Sequence, residues 1–428
     1  MVRAAPPLAS APSTRAATPL ARPAAGTDHG GGVRLSNMRL VLRELRRHGP
    51  ASRAEIASRV GLTRPTLTRI AAELIDLGLV REAGLQSGRP GRPGTSLELD
   101  GAHVVAVGAE LNVDAITVIV HDLSGRERSR MRQSLEARRL GPELSARRLA
   151  SLCLRAVAKA AARSAAPPAI SGVVVAVPGI VDTDGGVLVE SPNLHWKDVP
   201  LARLTSQALG IAGVAVSVGN AANLAAVAEY WRGGQAGRRN LVYVTGDVGA
   251  GGGVLVEGEL LRGVRGRAAE IGHMVVDPDG PACGCGRSGC WEAFIGLDAF
   301  LASVGLPASE DRPEAVVRQV AAQARRGDAG VLAGLERLGF WVGIGAANLV
   351  NLLDTEVVIL GGYFTHLAQW MLPAAYVPLA RQVIVSDVPP EKLVVTSALG
   401  FRASALGAAL HASEAVFSDP RLYAPPGS

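Results

Sequence analysis

The sequence predicts an N-terminal winged helix-turn-helix domain, mainly α, followed by a larger α/β body. Three observations carry that prediction. Capped amphipathic helices succeed one another between Asn37 and Gly78. From Val104 onward, short apolar strands alternate with helical stretches, the pattern of an α/β layer architecture. The charge divides at the same place. Residues 35–95 hold eleven Arg against five acids and residues 1–34 hold four Arg against one Asp, which leaves the rest of a +6 chain slightly acidic. A basic head on an acidic body points to a polyanion met by the head alone.

A chain of 428 residues is long enough for two or three domains. It is 48% hydrophobic and only 4% aromatic, and Arg supplies nearly all of its basic residues. No run of about 20 apolar residues is evident to span a bilayer. Residues 1–34, Ala/Pro-rich and lacking the apolar core of a secretion signal, read as a disordered tail. The expected location is the cytoplasm.

Residues 35–98 form the expected head. Met38, Leu40, Val41, Leu42 and Leu45 mark a first helix over Asn37–Arg47. After Gly49-Pro50, Ser52 and Glu55 form a capping-box pattern that opens a second helix, and Gly61 makes the turn. Thr63 caps a third helix, with Pro65 in its first turn and Leu67, Ile70, Ala71, Leu74 and Leu77 on its apolar face. A hairpin follows around Gly84 and Gly88. In a helix-turn-helix the second helix of the pair enters the major groove, N-terminus first. That leaves Arg64, Pro65, Thr66, Thr68 and Arg69 outward as candidate contacts to double-stranded DNA. Arg pairs bidentately with guanine, and Thr bonds a base edge or touches a thymine methyl. Arg89 and Arg92, held extended by the prolines that follow them, suit a minor groove or phosphates. The alternative is a small helical module that binds protein.

The body is expected over 102–415. Apolar runs at Val104–Leu111, Ile116–Leu123, Ile170–Val177 and Val214–Val218 read as strands, with a helix over about 145–165. A second set begins at Val242–Thr245 and Gly253–Val256 and ends at Val357–Leu360 and Leu393–Thr396. Residues 416–428 read as a tail.

Three of the four cysteines lie together with one histidine: His273, Cys283, Cys285 and Cys290, as His-x9-Cys-x-Cys-x4-Cys. One imidazole and three thiolates make the closed tetrahedral set of a structural zinc site, with no place left for a reactive water. Gly284, Gly286 and Gly289 suit a tight loop needing positive φ. A disulfide or free thiols is the alternative.

With this head and this cluster, the chain resembles the ROK family (repressors, open reading frames, kinases), in particular its winged-helix transcriptional regulators. The likeness spans about residues 35–415. Its most specific strings are Glu270-Ile-Gly-His273 and Cys283-Gly-Cys-Gly-Arg-Ser-Gly-Cys-Trp-Glu292. It implies a two-lobed actin-like ATPase (ribonuclease H-like) body, the first lobe about 102–220 with the C-terminal helix, the second about 221–400. It also implies a sugar between the lobes, contacted by Asn193, Asn220, Glu270, His273 and Glu292, with Pro178-Gly179 lining the pocket. His273 would give one ring nitrogen to zinc and the other to a sugar hydroxyl.

The chain departs from the family's kinases in two places. Their Asn-Asp is Asn220-Ala221 here, and that Asp is the general base for the attacking hydroxyl. Losing a general base costs about 10²–10⁴-fold in rate. Their first phosphate loop, Asp-x-Gly-Gly-Thr, stands here as Val107-Gly-Ala-Glu-Leu-Asn112, with Glu110 opposing phosphate. The second loop, Thr245–Gly253, keeps its glycines but carries Asp247, and Gly361-Gly362 falls at the adenosine position. The expected protein is thus a non-enzymatic, sugar-responsive repressor of carbohydrate genes. It would act on an operator as a homodimer or homotetramer. The rival is an ATP-dependent sugar kinase with an accessory DNA-binding head.

Overall fold

The computed structural model describes residues 29–85, 95–162, 167–235, 237–307, 313–384 and 387–423. The first helix is His29–His48, eight residues longer at its start than its apolar pattern. This corrects the expected 1–34 tail at its end. Once Met38, Val41, Leu42 and Leu45 are enclosed in the head's core, adding a backbone hydrogen bond per turn residue upstream costs little. Leu40, read from sequence as part of that apolar set, faces outward.

The helices Arg53–Val60 and Arg64–Asp76 follow, joined through Gly61 at φ 70°. Strand Thr95–Leu99 lies between Ala51–Ser52 and Val80–Leu85, antiparallel to both, and completes the winged sheet. The hairpin tip, residues 86–94 with Arg89 and Arg92, lies outside the described residues.

The body has two five-stranded sheets. The first runs in the order 216–220, 169–177, 104–111, 115–122, 127–134. The second runs 259–260, 250–256, 241–246, 357–362, 394–396. The edge strand Glu127–Ser134 escapes sequence reading because polar residues occupy nearly every position. A small sheet of 180–182, 187–191 and 196–199 covers the first lobe's helical side.

Two helices lie between the sheets. Ala221–Arg232 packs on the second sheet, and Ala403–Ser418 packs on the first. The latter runs three residues into the expected 416–428 tail. Val416 and Phe417 are apolar residues with somewhere to go, since both are enclosed in the head's core with Val104 and Leu123. The helix Ala329–Leu353 is long and apolar enough to cross a membrane by length and composition. Its Leu335, Leu338, Val342 and Ala346 are enclosed in the second lobe's core.

Candidate functional site

The head presents its third helix as expected from the caps. Ser52 accepts from the Glu55 N–H at 3.3 Å while Glu55 accepts from the Ser52 N–H at 3.0 Å, so both halves of the capping box are made. Thr63 accepts from the Thr66 N–H at 3.4 Å and caps the third helix. Arg64, Pro65, Thr68 and Arg69 are exposed and Thr66 is half-buried. Among the described residues Arg64 and Arg69 make no ion pair, so their guanidinium groups are free for a ligand. Thr68 donates to the Arg64 carbonyl at 2.9 Å and the Thr66 hydroxyl meets that of Thr63 at 2.9 Å. The two threonines therefore support the helix start, and a ligand bond donated by either hydroxyl would compete with these contacts.

The cluster His273, Cys283, Cys285 and Cys290 assembles with one ligand atom from each residue, all within 4.8 Å of one another. Cys285 Sγ and Cys290 Sγ are 3.7 Å apart, and Cys283 Sγ is 3.8 Å from His273 Nδ1. A tetrahedron with zinc–sulfur bonds of about 2.3 Å has edges near those lengths, so the residues fit the metal. Val275 bridges Cys290, and Trp291 N–H donates to the Met274 carbonyl at 2.7 Å, which brings His273 beside the cysteine loop. Gly286 and Gly289 take φ of 85° and 73°, as the loop requires, whereas Gly284 does not adopt positive φ. Trp291 is fully enclosed and donates from Nε1 to the Trp341 carbonyl at 2.7 Å, which anchors the loop on helix Ala329–Leu353. Burial above all pushes the Cys283 thiol up to about 12, so a cation is needed to hold it as thiolate.

Of the five residues expected around a sugar, four are distributed over two cavities, and His273 lines neither of them. Asn220 and Glu270 line one of about 180 Å³ with Gly179, Arg262 and His411. Asn193 and Glu292 line a separate open one of about 730 Å³ with Cys283. Asn220 caps the helix Ala221–Arg232, accepting from the Asn223 N–H at 3.0 Å and donating to the Gly179 carbonyl at 2.9 Å. It thus ties the Pro178-Gly179 loop to that helix. Glu292 accepts from the Ala250 N–H at 2.9 Å and lies 3.5 Å from Cys283 Sγ. The metal cluster and the pocket share this carboxylate as a neighbour. Partial desolvation raises the Glu270 carboxyl, opposed by His273 and reinforced by Glu292. Ala269, just before it, holds φ 68°, a left-handed backbone unusual for a residue with Cβ. Sequence reasoning missed His411, Arg262 and Ala269, since no local pattern marks them.

Between the lobes a cleft of about 540 Å³ is lined by Glu110, Asn112, Asp114, Arg132, Asp247 and Glu314 among others. Burial and then Asp247 push Glu110 up to about 8, and the same two causes push Asp114 up to about 6. Arg132 pairs with Glu314 and lies 3.8 Å from Asp114. The glycines of 250–253 lie within the strand Ala250–Val256, paired with Leu241–Gly246, and their lack of side chains admits neighbours. A Cβ at Gly252 would stand 2.1 Å from Ile271 Cδ1. This string serves packing.

Such an architecture defines a winged-helix head on a two-lobed actin-like ATPase body. The ROK family model matches residues 106–415 and the MarR family model residues 39–89. The chain belongs to the ROK family. It is 29% identical to the xylose repressor of Bacillus subtilis (strain 168) over 375 residues, 88% of this chain and 94% of that one. A crystal structure of a ROK family transcriptional regulator, a homolog of the E. coli MLC protein, covers 90% of this chain and 97% of its own, with TM-score 0.72 and 23% identity. A ROK family glucokinase from Streptomyces griseus, crystallised with glucose and AMPPNP, covers 72% of this chain and 99% of its own, with TM-score 0.59 and 29% identity.

Proposed function

We propose that this protein is a sugar-responsive, DNA-binding transcriptional repressor of carbohydrate uptake or catabolism genes, acting in the cytoplasm as a homo-oligomer and without kinase activity. The carrying observation is one chain that joins a capped recognition helix with free Arg64 and Arg69 to a sugar-family pocket whose helix opens on Ala221. Its likeness to a xylose repressor over nearly the whole length supports the same reading.

Arg64, Pro65, Thr66, Thr68 and Arg69, with Arg89 and Arg92 of the wing, meet the operator. Asn193, Asn220, Glu270, His273 and Glu292 meet the sugar. His273, Cys283, Cys285 and Cys290 hold one zinc ion, which braces the loop that carries His273 beside Glu270 and Glu292. Ala221 has no group to accept a hydroxyl proton. Asp114 and Glu314 place negative charge in the cleft against a nucleotide's phosphates, and Glu110 and Asp247, held toward the protonated form by burial, offer them no cation.

The test is fluorescence anisotropy of the full chain on duplexes enriched from random sequence, at two salt concentrations, with and without D-xylose, D-glucose and N-acetyl-D-glucosamine. Competitor-resistant binding that one sugar changes is the expected result. ATP-dependent phosphorylation of any of the three sugars would instead establish the kinase.

A further inference from the structure

We propose that Arg46 is the positioning residue that couples the angle between the two body lobes to the DNA-reading head, by inserting one head guanidinium between an aromatic ring from each lobe. This rests on the sugar-responsive reading above and names the route by which the pocket reaches the head.

Arg46 sits in the last turn of the head's first helix, and its side chain is 8% exposed. Its guanidinium carbon lies 4.4 Å from the ring centre of Trp231 and 4.6 Å from that of Phe417. It also pairs with Glu414. A charge so enclosed is satisfied only if its partners stay in place. Those partners come from different lobes. Trp231 ends the helix Ala221–Arg232, which lies on the second sheet, where a Cβ on Gly253 would stand 2.7 Å from Ala226 Cβ. Glu414 and Phe417 end the helix Ala403–Ser418, which lies on the first sheet, where a Cβ on Gly108 would stand 2.1 Å from the Ala405 carbonyl.

Both helices reach the smaller cavity. Ala221–Arg232 is capped by Asn220, which lines the smaller cavity and holds Gly179. Ala403–Ser418 starts with Ser404 in the interlobe cleft and turns His411 into the smaller cavity, one turn before Glu414. The helices touch about a third of the way along each, where Gly407 abuts the Leu224 carbonyl so closely that a Cβ would stand 1.7 Å from it. That contact has no side chain to yield and serves as a fulcrum. Trp231 and Glu414 each stand seven positions beyond it, about 10 Å along a helix, so a lobe rotation of about 10° would separate them by about 2 Å. A displacement of that size opens the clamp on Arg46.

The head has a second tie to one lobe only. Met38, Val41, Leu42 and Leu45 share a core with Val104, Leu123, Val416 and Phe417, and Arg39 Nε donates to the Ser418 carbonyl at 2.6 Å. The head therefore rides on the first lobe, and Arg46 with Trp231 senses the second. A sugar that closes the cleft changes the head's orientation to the extent that it binds the two clamp states unequally.

The experiment uses the full chain, the duplex enriched by the wild-type protein, and D-xylose, D-glucose and N-acetyl-D-glucosamine as probes. Anisotropy gives the ratio of DNA affinities with and without sugar. Arg46→Met keeps an apolar stem but removes the guanidinium, and Trp231→Leu removes the second lobe's ring while leaving the head intact. The expected result is a tenfold or larger ratio in the wild type that falls below twofold in both variants, with the heat of sugar binding retained by calorimetry. A mere stabilising role would lower both affinities and leave the ratio alone. A wild type that responds, with both variants responding equally, overturns the coupling alone. A wild type unmoved by all three sugars overturns the sugar-responsive reading, and the coupling falls with it.

Discussion

Asn112 and Asp247, 135 residues apart and on different lobes, are joined across the cleft by one hydrogen bond, Asn112 Nδ2 donating to Asp247 Oδ2 at 2.5 Å. They stand on the two segments whose sequences resemble the phosphate loops of the family's kinases. Asp247 also accepts from the Val248 N–H at 3.0 Å, and burial raises its carboxyl against these two bonds. A phosphate entering here would have to break the Asn112 bond and pass the charge of Asp114. The bond thus links the lobes directly.

The same cluster makes stability depend on pH. Glu110 is raised from 4.5 to about 8, so the folded chain holds its proton more tightly than the unfolded chain does. Its contribution is complete below about pH 4.5 and is lost as pH rises through about 8. Glu110→Gln mimics the protonated carboxyl permanently. At pH 8 the variant should melt higher than wild type by about 3 °C, the shift of roughly 1 kcal/mol in a domain of this size, and at pH 5 the two should coincide. Equal melting temperatures at both values would mean that Glu110 ionises freely in the folded state.

Parts of this protein are legible in the sequence because their causes are local. The Ser52–Glu55 box, the Gly61 turn and the spacing of Leu67, Ile70 and Leu74 each act within a few residues, and the head follows from them. The metal cluster is legible because chemistry limits what one His and three Cys at that spacing do together. The strand Glu127–Ser134 is not legible, since its neighbour Ala115–Asp122 and not its own residues makes it a strand. Phe417 reads as tail until the head's core is seen to enclose it. The separation of Asn193 and Glu292 from Asn220 and Glu270 depends on how the lobes meet, which no single segment encodes.

The recognition helix gives a sharper test of DNA reading. Arg69 is exposed, lacks an ion pair among the described residues, and faces away from the buried stripe of Leu67, Ala71 and Leu74. Arg69→Ala should weaken binding to the enriched duplex by roughly 10- to 100-fold, corresponding to about 1–3 kcal/mol for a base contact. Binding to random duplex should weaken far less. A uniform loss on both duplexes, with a salt slope lower by about 1, would place Arg69 on phosphate instead.

Metal removal should act on the pocket before it acts on the head. The cluster touches Glu292 through Cys283, whereas the head's core shares no residue with it. The wild type should carry one equivalent of zinc by native mass spectrometry, and Cys285→Ser should lose it together with the heat of sugar binding. Affinity for the enriched duplex without sugar should change less than about threefold. Full sugar binding by a zinc-free variant would separate the cluster from the pocket.

Ala221 permits a test in the opposite direction. It is the first residue of the helix capped by Asn220, a neighbour in sequence of a residue that lines the cavity with Glu270, and it packs against the apolar cluster of Ala106, Ala176 and Leu224. Near a helix N-terminus a negative charge is favourable by about 0.3–1 kcal/mol, so Ala221→Asp should fold. The added acceptor should tighten sugar binding, because a buried hydroxyl left without a partner costs about 1–3 kcal/mol. It should not create a kinase, because Glu110 and Asp247 still occupy the cleft and Asn112 still spans it. Tighter calorimetric binding with no ATP turnover is the expected pair of results. Turnover in Ala221→Asp would show that the cleft accepts nucleotide and that a single missing carboxylate had silenced the enzyme.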